Sequence, residues 1–138
     1  MRVLAIIPAR GGSKGIPKKN IVKINNIPLI GYTIDAALAS SYITDVVVST
    51  DDHEIAKVSK DLGVNVPFIR PELLALDDTE SAPVIEHALL FMERSKGIIY
   101  DAVMMMQPTS PLRTSKHIEE SIELFKSSKC DSVVSVVS

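Results

Sequence analysis

Short apolar runs at residues 3–7, 46–49, 64–69, 103–106 and 133–137 alternate with segments whose apolar residues recur at helical spacing. No feature constrains the fold more. The runs do not alternate with polar residues, so each predicted strand is buried on both faces, as in a parallel sheet covered by helices. The intervening segments predict helices over 29–40, with Ile30, Ile34, Ala37 and Leu38 inward, and over 52–62, with Ile55, Val58 and Leu62 inward. Two more are predicted over 81–94, with Val84, Ile85, Ala88, Leu89 and Met92 inward, and over 115–127, with Ile118, Ile122 and Phe125 inward. Strand, helix, strand in succession requires right-handed crossovers, which gives an α/β, doubly wound, mostly parallel sheet with helices on both faces, a three-layer α/β/α arrangement. Ligands of such sheets sit beyond the carboxyl ends of the strands, where loops starting at Arg10, Thr50, Arg70 and Gln107 emerge.

At 138 residues and 46% hydrophobic, the chain has enough apolar material for one core, and 1–138 reads as a single domain. A formal net charge of -2 argues against a nucleic-acid or membrane-surface binder, which needs a net basic face. No stretch approaches the roughly 20 apolar residues that span a bilayer. The apolar opening follows only Met1-Arg2 and stops at Arg10 without a small-residue cleavage site, so it reads as a strand rather than a signal-peptide core. Cys130 is the only cysteine, which rules out an intrachain disulfide and fits a reducing cytoplasm. His53, His87 and His117 fall on separate predicted helices, without metal-ligand spacing, and read as helix-surface residues. Met104, Met105 and Met106 read as strand filling.

Between the first run and the first helix lies Arg10-Gly-Gly-Ser-Lys-Gly-Ile-Pro-Lys-Lys-Asn20. Gly11, Gly12 and Gly15 can take positive φ, so that consecutive N–H groups turn toward an anion while Arg10, Lys14, Lys18 and Lys19 neutralise it. That combination suits a triphosphate. The loop has neither the P-loop spacing nor the G-x-G-x-x-G fingerprint, which demotes an ATPase or a dehydrogenase. Simpler readings stand beside the functional ones. Lys18 reads as a solvated lysine. Asp51 or Asp52 reads as a helix N-cap with Glu54 in the first turn, a contact to ribose or metal being the alternative. Arg70 reads either as a site residue or as a surface partner of Asp77 or Glu72. Gln107-Pro-Thr-Ser-Pro-Leu-Arg113 reads either as a proline-shaped turn or as a source of polar contacts.

Four blocks, LAIIPARGGSKGIPKKNI, VVVSTDDHEIA, RPELLALDDTES and MMQPTSPLRTSKHI, resemble in that order the acylneuraminate cytidylyltransferases, or CMP-sialic acid synthetases. The resemblance implies the Rossmann-like nucleotidyltransferase fold and transfer of CMP from CTP to a sialic-acid-like nonulosonic acid, with pyrophosphate released. It implies that Arg10, Gly11, Gly12, Ser13 and Lys14 hold the triphosphate, that Arg10 and Lys19 are catalytic, and that Asn20 fixes the nucleotide. Arg70 and Ser81 would approach cytosine and ribose, Gln107 would face the sugar acid, and Arg113 would gather negative charge. Family members are considerably longer, so residues 1–138 are expected to be the N-terminal part of a longer enzyme. Mg2+ is implied with ligands downstream of this chain, as are a homodimer of the full-length form and a cytoplasmic location. The alternatives are a non-catalytic nucleotide-binding module and a nucleotidyltransferase for another keto-sugar acid.

Overall fold

The computed structural model describes residues 1–12, 18–76, 79–108 and 115–127. In chain order the elements are β1 (Val3–Pro8), a 3-10 turn at Lys19–Ile21, β2 (Lys23–Ile24), β3 (Ile27–Pro28), α1 (Leu29–Ala39), β4 (Asp45–Ser49), α2 (His53–Asp61), a second 3-10 turn at Glu72–Leu74, α3 (Ser81–Lys96), β5 (Ala102–Met105) and α4 (Ser115–Ser127). All four helices stand where the apolar spacing puts them. The predicted end of α3 at residue 94 falls two residues short, because the chain runs on to a left-handed Gly97 whose N–H donates to Glu93 O at 2.9 Å.

β1 is central. It pairs in parallel with β4, Leu4 opposite Asp45 through Pro8 opposite Ser49, and on its other edge with β5, Val3 opposite Ala102 through Ile6 opposite Met105. Val3, Ala5 and Ile7 pack with Ile30 and Ile34 of α1, Ile55 of α2, and Ile118 and Ile122 of α4. Leu4 and Ile6 pack on the opposite face with Ala88 and Met92 of α3 and with Tyr100. Helices therefore cover both faces of the described sheet, which explains why β1 carries no polar alternation. Fully burying each such aliphatic side chain is worth about 1.5–3 kcal/mol.

The strand order β4-β1-β5 has a consequence for ligands. From β1 the chain moves to β4 on one side, then returns across the sheet to β5 on the other. The direction of winding reverses between β1 and β5, and a crevice opens at such a switch point, beyond the carboxyl ends of the strands.

Some expectations change. The run 64–69 is no ladder strand: it touches β4 through one bridge, Val47 with Asn65, with Val48 N–H donating to Asn65 O at 3.2 Å and Arg70 N–H to Thr50 O at 2.7 Å. Pro67 has no N–H to extend a ladder, while Val64 and Val66 supply the apolar burial that made the run look like a strand. Leu38, expected inward, is 48% exposed near the end of α1, and Leu62 is only half-buried at the C-cap of α2. The hairpin of β2 and β3 was not anticipated. Asn25 and Asn26 turn it with φ of 53° and 66°, the two positive angles of a type I′ turn, without the glycine that usually marks one. The predicted strand 133–137 and Cys130 lie outside the described residues.

At the amino end of the sheet, Tyr100 Oη donates to Asp45 Oδ2 and Lys96 Nζ pairs with Asp45 Oδ1, each at 2.6 Å. These groups tie α3 to β4, on the side away from the crevice. Among the described residues no helix is long and apolar enough to cross a membrane.

Candidate functional site

A cavity of about 310 Å³ occupies the crevice, at the lower end of the size range for ligand pockets. Pro8 and Arg10 reach it from the end of β1; Met105, Gln107 and Pro108 reach it from the end of β5. Lys19 and Asn20 enter from the far side of the basic loop, and Arg70 from the segment beside β4. Thr79, Glu80, Ser81 and Val84 close it at the start of α3. Of the residues singled out by sequence, Arg10, Lys19, Asn20, Arg70, Ser81 and Gln107 thus line one space, although Arg10 follows β1 and Gln107 follows β5, far apart in sequence. Ser13, Lys14 and Arg113 lie outside the described residues, as do Gly15 and Asp77.

Arg70 is the buried cation of this wall, 4% exposed. Its Nε donates to Ser49 Oγ at 3.0 Å, Nη2 to Ser49 O at 2.7 Å and Nη1 to Leu74 O at 3.2 Å. The surface-pair alternative with Glu72 is therefore replaced by a guanidinium bonded to backbone and hydroxyl oxygens. Burial, more than the favourable field of Asp51 or the unfavourable one of Arg10, pushes Arg70 down from the usual arginine range, yet a guanidinium stays charged. One face of this fixed cation borders the cavity. Next to it His87, expected on the helix surface, is half-buried edge-on to Phe68, with ring centroids 4.8 Å apart. Burial, then the charge of Arg70, holds its pKa below the ordinary histidine range.

The two ends of the basic loop are tied together. Asn20 is buried and its Nδ2 donates to Arg10 O at 3.2 Å; Lys18 N–H donates to Gly11 O, also at 3.2 Å. The positive-φ expectation does not hold at Gly11 or Gly12; Lys18 is the left-handed residue here, with φ 52°. Gly11 is required for a different reason. A Cβ there would lie 2.7 Å from Asp52 Oδ2. Nor is the Gly11 N–H turned to an anion: it donates to Asp51 Oδ1 at 2.9 Å. Lys18, read as solvated, pairs with Glu54 and lies 3.9 Å from Asp52 Oδ2, and the bond to Glu54 raises its pKa above the usual lysine range.

Asp52 is the N-cap of α2, accepting from Glu54 N–H at 2.9 Å and Ile55 N–H at 3.0 Å. Glu80 escaped sequence reasoning, and Asp51, read there as an alternative N-cap or ribose or metal contact, instead accepts the Gly11 N–H. For Asp51 a signal was present: a strand ending in three acids within four residues should meet a basic loop at the same sheet edge. Among the described residues no group of three or more His, Cys, Asp or Glu could hold a metal ion. The described residues do not fit a magnesium site by themselves. What they make is a cleft with three cations, Arg10, Lys19 and Arg70, against one acid, Glu80, an excess of positive charge that stabilises negative charge.

A family model described as cytidylyltransferase matches residues 4–138. The chain belongs to the cytidylyltransferase family. Among its relatives, the CMP-N,N'-diacetyllegionaminic acid synthase of Legionella pneumophila subsp. pneumophila is 43% identical over 126 residues, covering 91% of this chain and 54% of that protein. The N-acylneuraminate cytidylyltransferase of Escherichia coli O18:K1:H7 is 40% identical over 136 residues, 98% of this chain and 31% of its own. The chain thus spans about half the length, or less, of those relatives. A solved CMP:2-keto-3-deoxy-manno-octonic acid synthetase, complexed with CTP, shares the fold with a TM-score of 0.74 at 22% identity, over 94% of this chain and 49% of that one.

Proposed function

We propose that this chain is the nucleotide-binding part of an enzyme that transfers CMP from CTP to a sialic-acid-like nonulosonic acid and releases pyrophosphate. The observation that carries the reading is the convergence of Arg10, Lys19, Asn20, Arg70, Ser81 and Gln107 on one cavity at the switch point of the sheet. The names of the legionaminic and neuraminic relatives support the acceptor class without choosing within it. The domain boundary, 1–138 within a longer cytidylyltransferase, belongs to the proposal, as do a homodimer of the full-length protein, a cytoplasmic location, and Mg2+ held by residues beyond those described.

In the reaction, the anomeric hydroxyl oxygen of the acid bonds to the α-phosphorus of CTP while the bond from that phosphorus to the bridging oxygen of the β-phosphate breaks. Pyrophosphate leaves and the hydroxyl proton is released. Charge builds on the equatorial oxygens and on the leaving group, so preorganised cations are what the site must supply. Arg10 and Lys19 take that role. Ser13 and Lys14 extend it along the triphosphate, with Gly12, where a Cβ would meet nothing within 4 Å, leaving the approach open and Gly11 held by Asp51 instead of the ligand. Asn20 and Arg70 set the nucleotide-binding wall, Ser81 offers a hydroxyl to ribose at the start of α3, and Arg70 borders the base. Gln107 presents two donors and one acceptor to acceptor hydroxyls, and Arg113 meets the acid's carboxylate.

Titration calorimetry with CTP, UTP and ATP, followed by pyrophosphate release assays against several nonulosonic acids on the full-length protein, tests this. Arg10→Ala and Lys19→Ala are each expected to lower turnover at least about 100-fold, the scale for losing one preorganised electrostatic donor. Near-normal turnover in both would overturn the assignment. CTP binding without release of its pyrophosphate in the presence of any of the acids would leave a nucleotide-binding module.

A further inference from the structure

We infer that Asp51, with the Lys18–Glu54 pair, forms a carboxylate clamp that fixes the two ends of the basic loop, Gly11 and Lys18, before any ligand arrives, making these positioning residues rather than ligand contacts. The inference rests on the nucleotide-binding role proposed above. Three acids, Asp51, Asp52 and Glu54, stand beside a loop meant for phosphates, and unopposed they would repel a polyanion. Each is engaged by the protein instead. Asp51 Oδ1 accepts the Gly11 N–H at 2.9 Å across 40 residues of sequence. Asp52 caps α2 and leaves no room for a side chain at Gly11. Glu54 takes Lys18, which holds the loop's return in a left-handed conformation.

The clamp therefore grips the loop at both ends, Gly11 on the outgoing side and Lys18 on the return. Its result is a division of labour between adjacent lysines. Lys18 is turned to α2, while Lys19, the next residue, lines the cavity with Asn20. Ends fixed in this way do not lose that freedom again when a ligand binds, which is how preorganisation raises affinity.

The chemistry separates positioning from charge. Asp51→Asn keeps an oxygen acceptor for the Gly11 N–H and removes the charge; Asp51→Ala removes both. Positioning predicts that Asp51→Asn retains most CTP affinity while Asp51→Ala loses roughly tenfold, the scale of one hydrogen bond. Equal losses in both would overturn the inference in favour of a charge or metal role. The lysine pair gives a second reading. If Lys18 contacted phosphate, Glu54→Ala would release it and tighten binding; the clamp predicts weaker binding, with Lys18→Ala and Glu54→Ala no worse together than the larger single loss.

Amide exchange in the ligand-free protein keeps the outcome independent of CTP. Gly11 N–H should be protected in the wild type and in Asp51→Asn, and exposed in Asp51→Ala at unchanged global stability. A wild type that fails to bind CTP but shows this protection would sink the nucleotide reading and leave the clamp. An unprotected Gly11 amide in the wild type would sink the clamp alone.

Discussion

Arg70 illustrates how one side chain can be both structural and chemical. Its fork is held by Ser49 and Leu74 oxygens, so the charge borders the cavity at a fixed place and needs no reordering when a ligand arrives. Arg70→Ala removes three hydrogen bonds, leaving the buried Ser49 hydroxyl without its donor while Ser49 O keeps the Ala9 N–H at 2.9 Å; we expect a loss of about 1–3 kcal/mol in urea unfolding, and Arg70→Lys, lacking the planar fork, should recover less than half of it. His87 gives a pH signature. Its Nδ1 is buried with no hydrogen-bond partner among the described residues, and its pKa is depressed, so the unfolded chain takes up a proton in the ordinary histidine range before the folded one does. Stability from this group is complete above that range and falls with pH down to the folded pKa. His87→Gln should flatten that part of the acid limb in denaturation curves between about pH 5 and 7.5; an unchanged limb would assign it to other groups.

Among the elements, α2 has a role out of proportion to its length. Asp52 supplies the cap that the Ser-Thr-Asp-Asp sequence suggests, and the same carboxylate packs against Gly11. Asp52→Ala is expected to cost about 1 kcal/mol in thermal unfolding, as for a lost N-cap; no measurable change would show that the helix draws its start from Thr50 or water. The helices were legible because their apolar stripes exceed a turn or two. The segment 64–69 was misread because composition reports burial, whereas a ladder also needs N–H groups, and Pro67 lacks one. The β2–β3 hairpin was missed because Asn25-Asn26 carries the positive φ that Asn-Gly would have announced.

In the molecule as a whole, β1 is shared by two helical layers. Ile6 and Ile7 are both inaccessible but point to opposite faces, one toward α3 and the other toward α1 and α4. Ile6→Ala and Ile7→Ala should each cost about 2–5 kcal/mol in denaturant unfolding, the range for truncating a buried aliphatic residue. A protein covered on one face only would lose much less at one of the two positions. Because Arg10 follows directly on the end of β1, the packing of both layers fixes where this cavity-lining cation stands.

Local order in the amino acids determined the α/β class, the four helices, the double burial of β1 and the cationic, glycine-rich loop with Arg10 and Lys19, because periodicity, charge and glycine content act within a few residues of each other, while Asn20, Arg70, Ser81 and Gln107 were singled out by what the family resemblance implies. Tertiary structure alone decided that these six share a cavity between β1 and β5, that Lys18 turns to Glu54 while Lys19 faces the cleft, and that Gly11 is fixed by Asp51 and Asp52. Those facts depend on contacts between segments tens of residues apart, and no short-range pattern encodes which partner a charge will find once the strands have been ordered.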